Sequence, residues 1–259
     1  MTRASLSSLL LPLPAQAFAQ LAPPDTSALE RFDLPRDKLN DMRFALGMSE
    51  GMKDYEAEAS PKKASLFRDL LSSLPPNQSS EPLIVEVGMG SFPNSKFYHP
   101  SANRPLDIVG VDPNDSMKNF AMSNAEKDSL MKNGNSVRIV HGVSEALPFN
   151  DGSVDAVVCS LTLCSVLDPQ KSISEIKRVL KPGGKFLFWE HVLSQTDSGM
   201  ANFQIAMTPA QVRCADGCHL NRKTGETINN AGFKRVDMEY FELKNFGFLN
   251  PTVAGIATK

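Results

Sequence analysis

The sequence predicts a doubly wound α/β fold, a seven-stranded and mostly parallel sheet preceded by an N-terminal helical extension. Three stretches carry that expectation. Leu83-Ile-Val-Glu-Val87 is apolar on both faces, as a strand buried in a parallel sheet requires, and it runs into Gly88 and Gly90. Asp107-Ile-Val-Gly-Val-Asp112 repeats the pattern and ends in an acid, the arrangement of a βαβ nucleotide site. Phe233 to Leu243 and Val253 to Ala257 supply the last two strands as an antiparallel return, an ordinary mixed edge for a large α/β sheet.

At 259 residues the chain holds one such domain with extensions. Its 27 basic and 29 acidic residues leave a net charge of −2, which argues against a protein that works by coating nucleic acid. The four cysteines frame no compact repeat and describe no disulfide scaffold, so a reducing compartment is expected. Residues 1–24 contain Arg3 but no acid, are rich in Ser, Leu, Ala and Pro, and carry small-residue spacings at Ala15-Gln-Ala17 and Ala17-Phe-Ala19. Such a composition suits a targeting segment for a plastid or mitochondrion, with a cytoplasmic or membrane-associated chain as the alternative. Pro12 and Pro14 break its apolar centre, and no later stretch reaches the ~18 apolar residues of a membrane helix. Residues 25–80 form the helical extension. Within it Ser65 to Leu74 has helical apolar spacing, closed by Pro75-Pro76-Asn77.

The main domain spans 81–259. A helix is expected after the glycine turn, and another over Ser116 to Met131, stopped by Gly134-Asn135. Val137 to Val140 is the third strand. Asp151-Gly-Ser-Val-Asp155 leads into the fourth, Ala156 to Cys159. Ile173 to Leu180 gives an amphipathic helix that Lys181-Pro-Gly-Gly184 breaks, and Lys185 to His191 is the fifth strand. Thr224 to Ala231 reads as a helix with Gly232 as its stop.

The turn decides the ligand class. A dinucleotide site needs G-x-G-x-x-G, and here Pro93 holds the third glycine's place. Glu86-Val-Gly88-Met-Gly90 instead resembles motif I of the class I S-adenosylmethionine (SAM) methyltransferases, a Rossmann-like fold whose ligand carries an ammonium and a sulfonium group. Gly88 and Gly90 let backbone approach that ligand, and Glu86 suits its positive charge. Asp112 follows Gly88 at close to the ~20-residue offset at which an acid meets ribose hydroxyls, with Pro113 and Asn114 forming the turn beside it. His141-Gly-Val-Ser-Glu-Ala-Leu-Pro148-Phe resembles the adenine-flanking segment of quinone-biosynthesis methyltransferases, with Val143 in place of the usual acid. Adenine recognition therefore falls to Ser144, Glu145 or backbone groups. Cys159, Leu161 and their neighbours border the methionine end, beyond the fourth strand's carboxyl end.

Together Glu86 to Asn94, Asp112-Pro-Asn114, Asp151 to Asp155, Leu163-Cys-Ser-Val166, Arg178 to Gly184, Glu190-His-Val192 and Asp216-Gly-Cys-His-Leu-Asn-Arg222 resemble the methyltransferase-like protein 7 family. The resemblance runs from about Tyr55 to the carboxyl terminus. It implies SAM as cofactor and methyl transfer to a small, apolar acceptor, thiols first, and a helical lid before the first strand from which Met52, Tyr55 and Phe67 are candidates to line the substrate pocket. Phe92 stands where the family has motif I's third glycine, and the polar stretch Phe203 to Arg213 replaces an aromatic-rich helix.

A thiol with pKa near 8.5 is a few per cent ionised at neutral pH, whereas a phenol near 10 is roughly a tenth of a per cent ionised. A thiol acceptor asks least of the protein, and a phenol or quinol, methylated on oxygen or carbon, asks for a base. His191 and then His219 are the catalytic candidates, and His141 is read as structural. Cys214 and Cys218 lie beside His219, but no second pair is spaced to complete a tetrahedral site, so no metal is expected. A non-catalytic SAM-fold binding protein is the reading from another class, supported by Phe92 and Val143. The expected partner is a small molecule handled by a monomer. Nucleic acid is not expected, and peripheral membrane contact is open through the amino-terminal segment.

Overall fold

The computed structural model describes residues 21–75, 81–98 and 104–259. Most of the expected targeting segment, residues 1–20, lies outside the described residues. Three helices come first: α1 (Thr26–Phe32), α2 (Lys38–Gly51) and α3 (Lys53–Ser72). Asp25 and Asp37 cap the first two by accepting backbone amides of the opening turn. Helix α3 begins well before the Ser65 to Leu74 spacing that announces it. Its buried stripe, Tyr55, Ala59, Lys63, Phe67 and Leu70, has a lysine at its centre, which hides the apolar period.

The sheet contains β1 (Leu83–Val87), β2 (Asp107–Asp112), β3 (Ser136–His141), β4 (Val154–Ser160), β5 (Leu180–His191), β6 (Arg235–Phe241) and β7 (Thr252–Thr258), in the order β3-β2-β1-β4-β5-β7-β6. The first five strands pair in parallel, and β7 runs antiparallel between β5 and β6. Helices α4 (Met117–Lys127), α5 (Pro169–Val179), α6 (Ser198–Cys214) and α7 (Thr224–Asn229) complete the architecture. The predicted fold class is the one observed.

Strand alternation divides the core between two faces. Val85, Val87, Val109, Val111, Val157 and Phe186 pack on Ile173, Ile176 and Val179 of α5. Ile84, Ile108, Ala156, Val158 and Leu187 pack on Phe67 and Leu70 of α3 and Ala121 and Ala125 of α4. Each large aliphatic side chain so buried contributes roughly 1.5–3 kcal/mol. Helix α5 is held in place at its start, where Asp168 accepts the Lys171 amide at 2.9 Å and Pro169 occupies the first turn. Among the described residues no helix is long and apolar enough to cross a membrane.

Two local expectations are corrected. Lys181-Pro-Gly-Gly184 ends no helix by itself, since α5 stops at Val179; the four residues bulge within β5, where the partner of Val154 is Leu180 and that of Ala156 is Lys185. The helix expected after β1 is reduced, among the described residues, to one 3-10 turn at Ser95–Phe97. Phe92 is left-handed, with φ 61°, and Pro93 brings no amide proton, so no helix propagates from the glycine turn.

Strand order reverses between β1 and β4. At such a switch point the connections leave on opposite faces and open a crevice beyond the strands' carboxyl ends.

Candidate active site

That crevice is a cavity of about 600 Å³, within the ~300–1,000 Å³ usual for small-molecule sites. Its floor is the turn after β1 and the end of β2; its sides are the loops after β3 and β4; its roof is the α1–α2 connection and α2. Gly88 has φ 62°, and a Cβ there would sit 2.3 Å from the Thr162 side chain, so only glycine permits that approach. Gly90, with φ 56°, faces open space, where an added Cβ would meet nothing nearer than 4.0 Å.

Asp112 ends β2 at the cavity floor. Its Oδ2 accepts the Gly90 amide and its Oδ1 the Asn114 amide, both at 2.8 Å, so each oxygen keeps a lone pair for a ligand hydroxyl. Burial raises its pKa to about 6. Pro113 and Asn114 line the cavity, and Asn114 Nδ2 donates to the Asp41 carbonyl of the roof at 3.0 Å. Glu86, one strand over, is buried; Asn94 Nδ2 donates to its Oε1 at 2.9 Å and the Tyr98 hydroxyl to its Oε2 at 2.5 Å. Burial raises Glu86 to about 7, against those two hydrogen bonds and nearby Lys63.

Ser144 and Glu145 border the opposite end. Glu145 Oε1 accepts the amides of Leu167 and Asp168, and Ser144 Oγ reaches both Glu145 and Ser172, so the two side chains brace the wall. Leu161 lines the cavity with φ 55°. Cys159 does not: it is fully buried in the α5-side core, and its Sγ donates to Glu190 Oε1 at 3.5 Å. Ser160 and Thr162, on either side of Leu161, line the cavity instead. Of the lid candidates only Met52 reaches the cavity; Tyr55 accepts from Trp189 Nε1, and Phe67 packs beneath β1.

Neither candidate histidine lines the cavity. His191 is buried at the end of β5 with Nε2 at 3.1 Å from Cys218 Sγ. His219 follows the lining residue Gly217, and its Nδ1 is turned toward the Gly217 carbonyl at 2.7 Å. His141 bridges Asp33 and Asp115 at 3.1 Å each, tying the α1–α2 connection to β3.

The local sequence hides two features. Phe92, Leu161 and Asp216 are non-glycine residues with positive φ, and all three line this cavity, the concentration of backbone strain that marks working sites. Arg36 donates to Asp41 and to Asp216 at 2.7 Å each, clasping the roof to the loop after α6. Partners so far apart in the chain leave no signal in it.

A switch-point cavity with a glycine turn under an acid-ended β2 is the nucleotide-ligand site of a doubly wound, Rossmann-like protein, and the relatives make it that of a class I SAM-dependent methyltransferase. The family described as "Methyltransferase domain" matches residues 85–188. Thiol S-methyltransferase TMT1B of Rattus norvegicus is 35% identical over 193 residues, covering 73% of this chain and 76% of the relative. Thiol S-methyltransferase TMT1A of Homo sapiens is 30% identical over 207 residues, 79% and 81% of the two chains. The chain belongs to this thiol S-methyltransferase family. A SAM-dependent methyltransferase of Thermotoga maritima has the same fold, with a TM-score of 0.57 at 20% identity over 86% of this chain and 100% of that one.

The residues present fit SAM. Asp112 has two unused lone pairs for the ribose hydroxyls, Gly90 presents bare backbone, and buried Glu86 balances a cation beside it. SAM supplies an activated methyl group on its sulfonium; the chain supplies the shape and charge that hold it.

Glu86 makes stability depend on pH. The unfolded chain releases that proton near 4.5 and the folded one near 7, so folded stability is greatest below the first value. It falls as pH rises through this window, by of order 3 kcal/mol, and then levels. The apo protein should therefore melt higher at about pH 5 than at about pH 7.5, with the slope attributable to this group gone in Glu86→Gln. Equal slopes in the two proteins would refute the assignment.

Proposed function

We propose that the protein transfers the methyl group of SAM to small, apolar thiols. The observation that carries this reading is the state of the cavity's acids. Asp33 is paired with His141, Glu56 with Lys63, Asp216 with Arg36, and Asp128 with the Ser95 hydroxyl. Glu86, Asp112 and Glu145 are held by the side chains and backbone amides already described. No histidine lines the cavity among the described residues. Every lining carboxylate already holds a protein donor, and the free lone pairs of Asp112 go to the ribose, so the favoured acceptor is one that ionises by itself, and a thiol does so near neutral pH. In-line transfer then needs chiefly that the thiolate be held against the methyl group. Phe32, Leu34, Phe44, Met48, Leu161 and Leu167 give the cavity an apolar side suited to an alkyl or aryl acceptor. The names of the relatives support the same acceptor class.

The test is transfer of labelled methyl from SAM to a series of thiols of graded pKa, with phenols and quinols alongside. Turnover should rise with pH about a midpoint that moves with each thiol's own pKa, and phenols should be poor acceptors. A midpoint fixed near neutrality across the series, displaced by His191→Gln or His219→Gln, would instead establish a protein base. Turnover of quinols above thiols would replace the acceptor class.

A further inference from the structure

Behind the cavity wall formed by Ser165 and Gly217, three separate segments converge on one point. Cys164 comes from the loop after β4, His191 from the last position of β5, and Cys218 from the loop after α6. One donor atom of each lies within 4.8 Å of the other two, and all three residues are buried. We propose that Cys164, His191 and Cys218 form a binding site for one thiophilic metal ion, of which Zn²⁺ is the type.

The distances suit such an ion. Zinc bonds of ~2.3 Å to sulfur and ~2.0–2.1 Å to nitrogen set tetrahedral edges of about 3.5–3.8 Å between ligand atoms. His191 Nε2 stands 3.1 Å from Cys218 Sγ, so small side-chain shifts would open the triangle to those edges. Two thiolates and a neutral imidazole balance a divalent charge, and binding releases the two thiol protons to solvent. His191 Nδ1 has no hydrogen-bond partner among the described residues, and with the ion on Nε2 it would carry the ring proton. The surroundings are soft and apolar: Leu220 belongs to the same buried cluster, with Met207, Phe248 and Leu249 packed on it. Thiolate ligands in such surroundings select thiophilic ions over hard ones. Three protein ligands leave a fourth position for water or an added thiol.

The spacing in the sequence points to Cys214 and Cys218, and the fold instead removes Cys214 to the exposed end of α6 and brings in Cys164. Ser165 and Gly217, the chain neighbours of the two cysteine ligands, line the cavity. An ion here pins those two wall segments to the end of β5.

The reduced full-length protein, freed of metal by chelation, is titrated with Cd²⁺ while the ultraviolet thiolate-to-cadmium charge-transfer band is followed. Zn²⁺ is then used as competitor. The band should saturate at one ion per chain, and Cys164→Ser or Cys218→Ser should weaken binding by more than about tenfold. Cys214→Ser should leave it unchanged. In the unmutated protein, which sidesteps any folding defect of the variants, Zn²⁺ should protect Cys164 and Cys218 from alkylation while Cys214 stays reactive. Absence of the band, its survival in Cys218→Ser, its loss in Cys214→Ser, or alkylation indifferent to Zn²⁺ would each overturn the site.

Discussion

Asp112→Asn should weaken SAM binding by ~10–10²-fold and lower methyl transfer with it. Each Asp112 oxygen holds one floor amide, Gly90 on one side and Asn114 on the other. An asparagine replaces one oxygen by an amino group, which must face one of those two N–H donors. That leaves a buried donor unpaired with or without ligand, which lowers stability by about 1–3 kcal/mol, and it loses a charge-assisted bond to a ligand hydroxyl worth roughly 1.5–3 kcal/mol of binding. The binding term alone gives the stated loss, since 1.4 kcal/mol is about tenfold. Calorimetric titration with SAM and with S-adenosylhomocysteine should show equal losses, because both carry the ribose. A loss confined to SAM would mean that Asp112 answers the sulfonium charge rather than the sugar. Circular dichroism separates either result from unfolding.

The sheet was legible because parallel strands must be apolar on both faces, and that requirement is written in consecutive residues such as Leu83 to Val87. Asp112 and the glycine pair were legible for a related reason: the switch-point site is built where a strand meets its turn, so neighbours in sequence are neighbours in the site. Cys159 follows a rule that is also written in consecutive residues. It shares the parity of Val157, and the side chains of both enter the α5-side core, so strand alternation alone turns Cys159 away from the ligand. The roof followed no local rule. Arg36 meets Asp216 across most of the chain, and Lys63 interrupts the very stripe that buries it, held by Glu56 at 2.8 Å and Asn94 at 3.2 Å. His191 looked like a base because it ends a strand near the site; which way its ring faces is set by the loop carrying Cys218, and no local spacing records that.

Phe92→Gly should lower the melting temperature although it restores the glycine that motif I ordinarily has there. Two opposed terms meet at this residue. Its φ of 61° costs a non-glycine residue roughly 1–2 kcal/mol, which glycine would recover. Its ring is fully buried, 5.6 Å from the Tyr98 ring, and removing a buried phenyl costs about 3–5 kcal/mol. Packing outweighs strain by ~1–4 kcal/mol, or roughly 2–16 °C for a chain of this size. Phe92→Ala should fall further, since alanine loses the ring and keeps the strained backbone, and the gap between the two variants measures the strain itself. The effect extends to the ligand. Tyr98 leans on Phe92 and donates to Glu86, so loosening the ring frees Tyr98 and leaves Glu86 less fixed beneath the cofactor. SAM affinity should therefore drop in both variants, and thermal denaturation with and without SAM reads both quantities. A glycine variant as stable as the parent would show that strain, not packing, governs this turn.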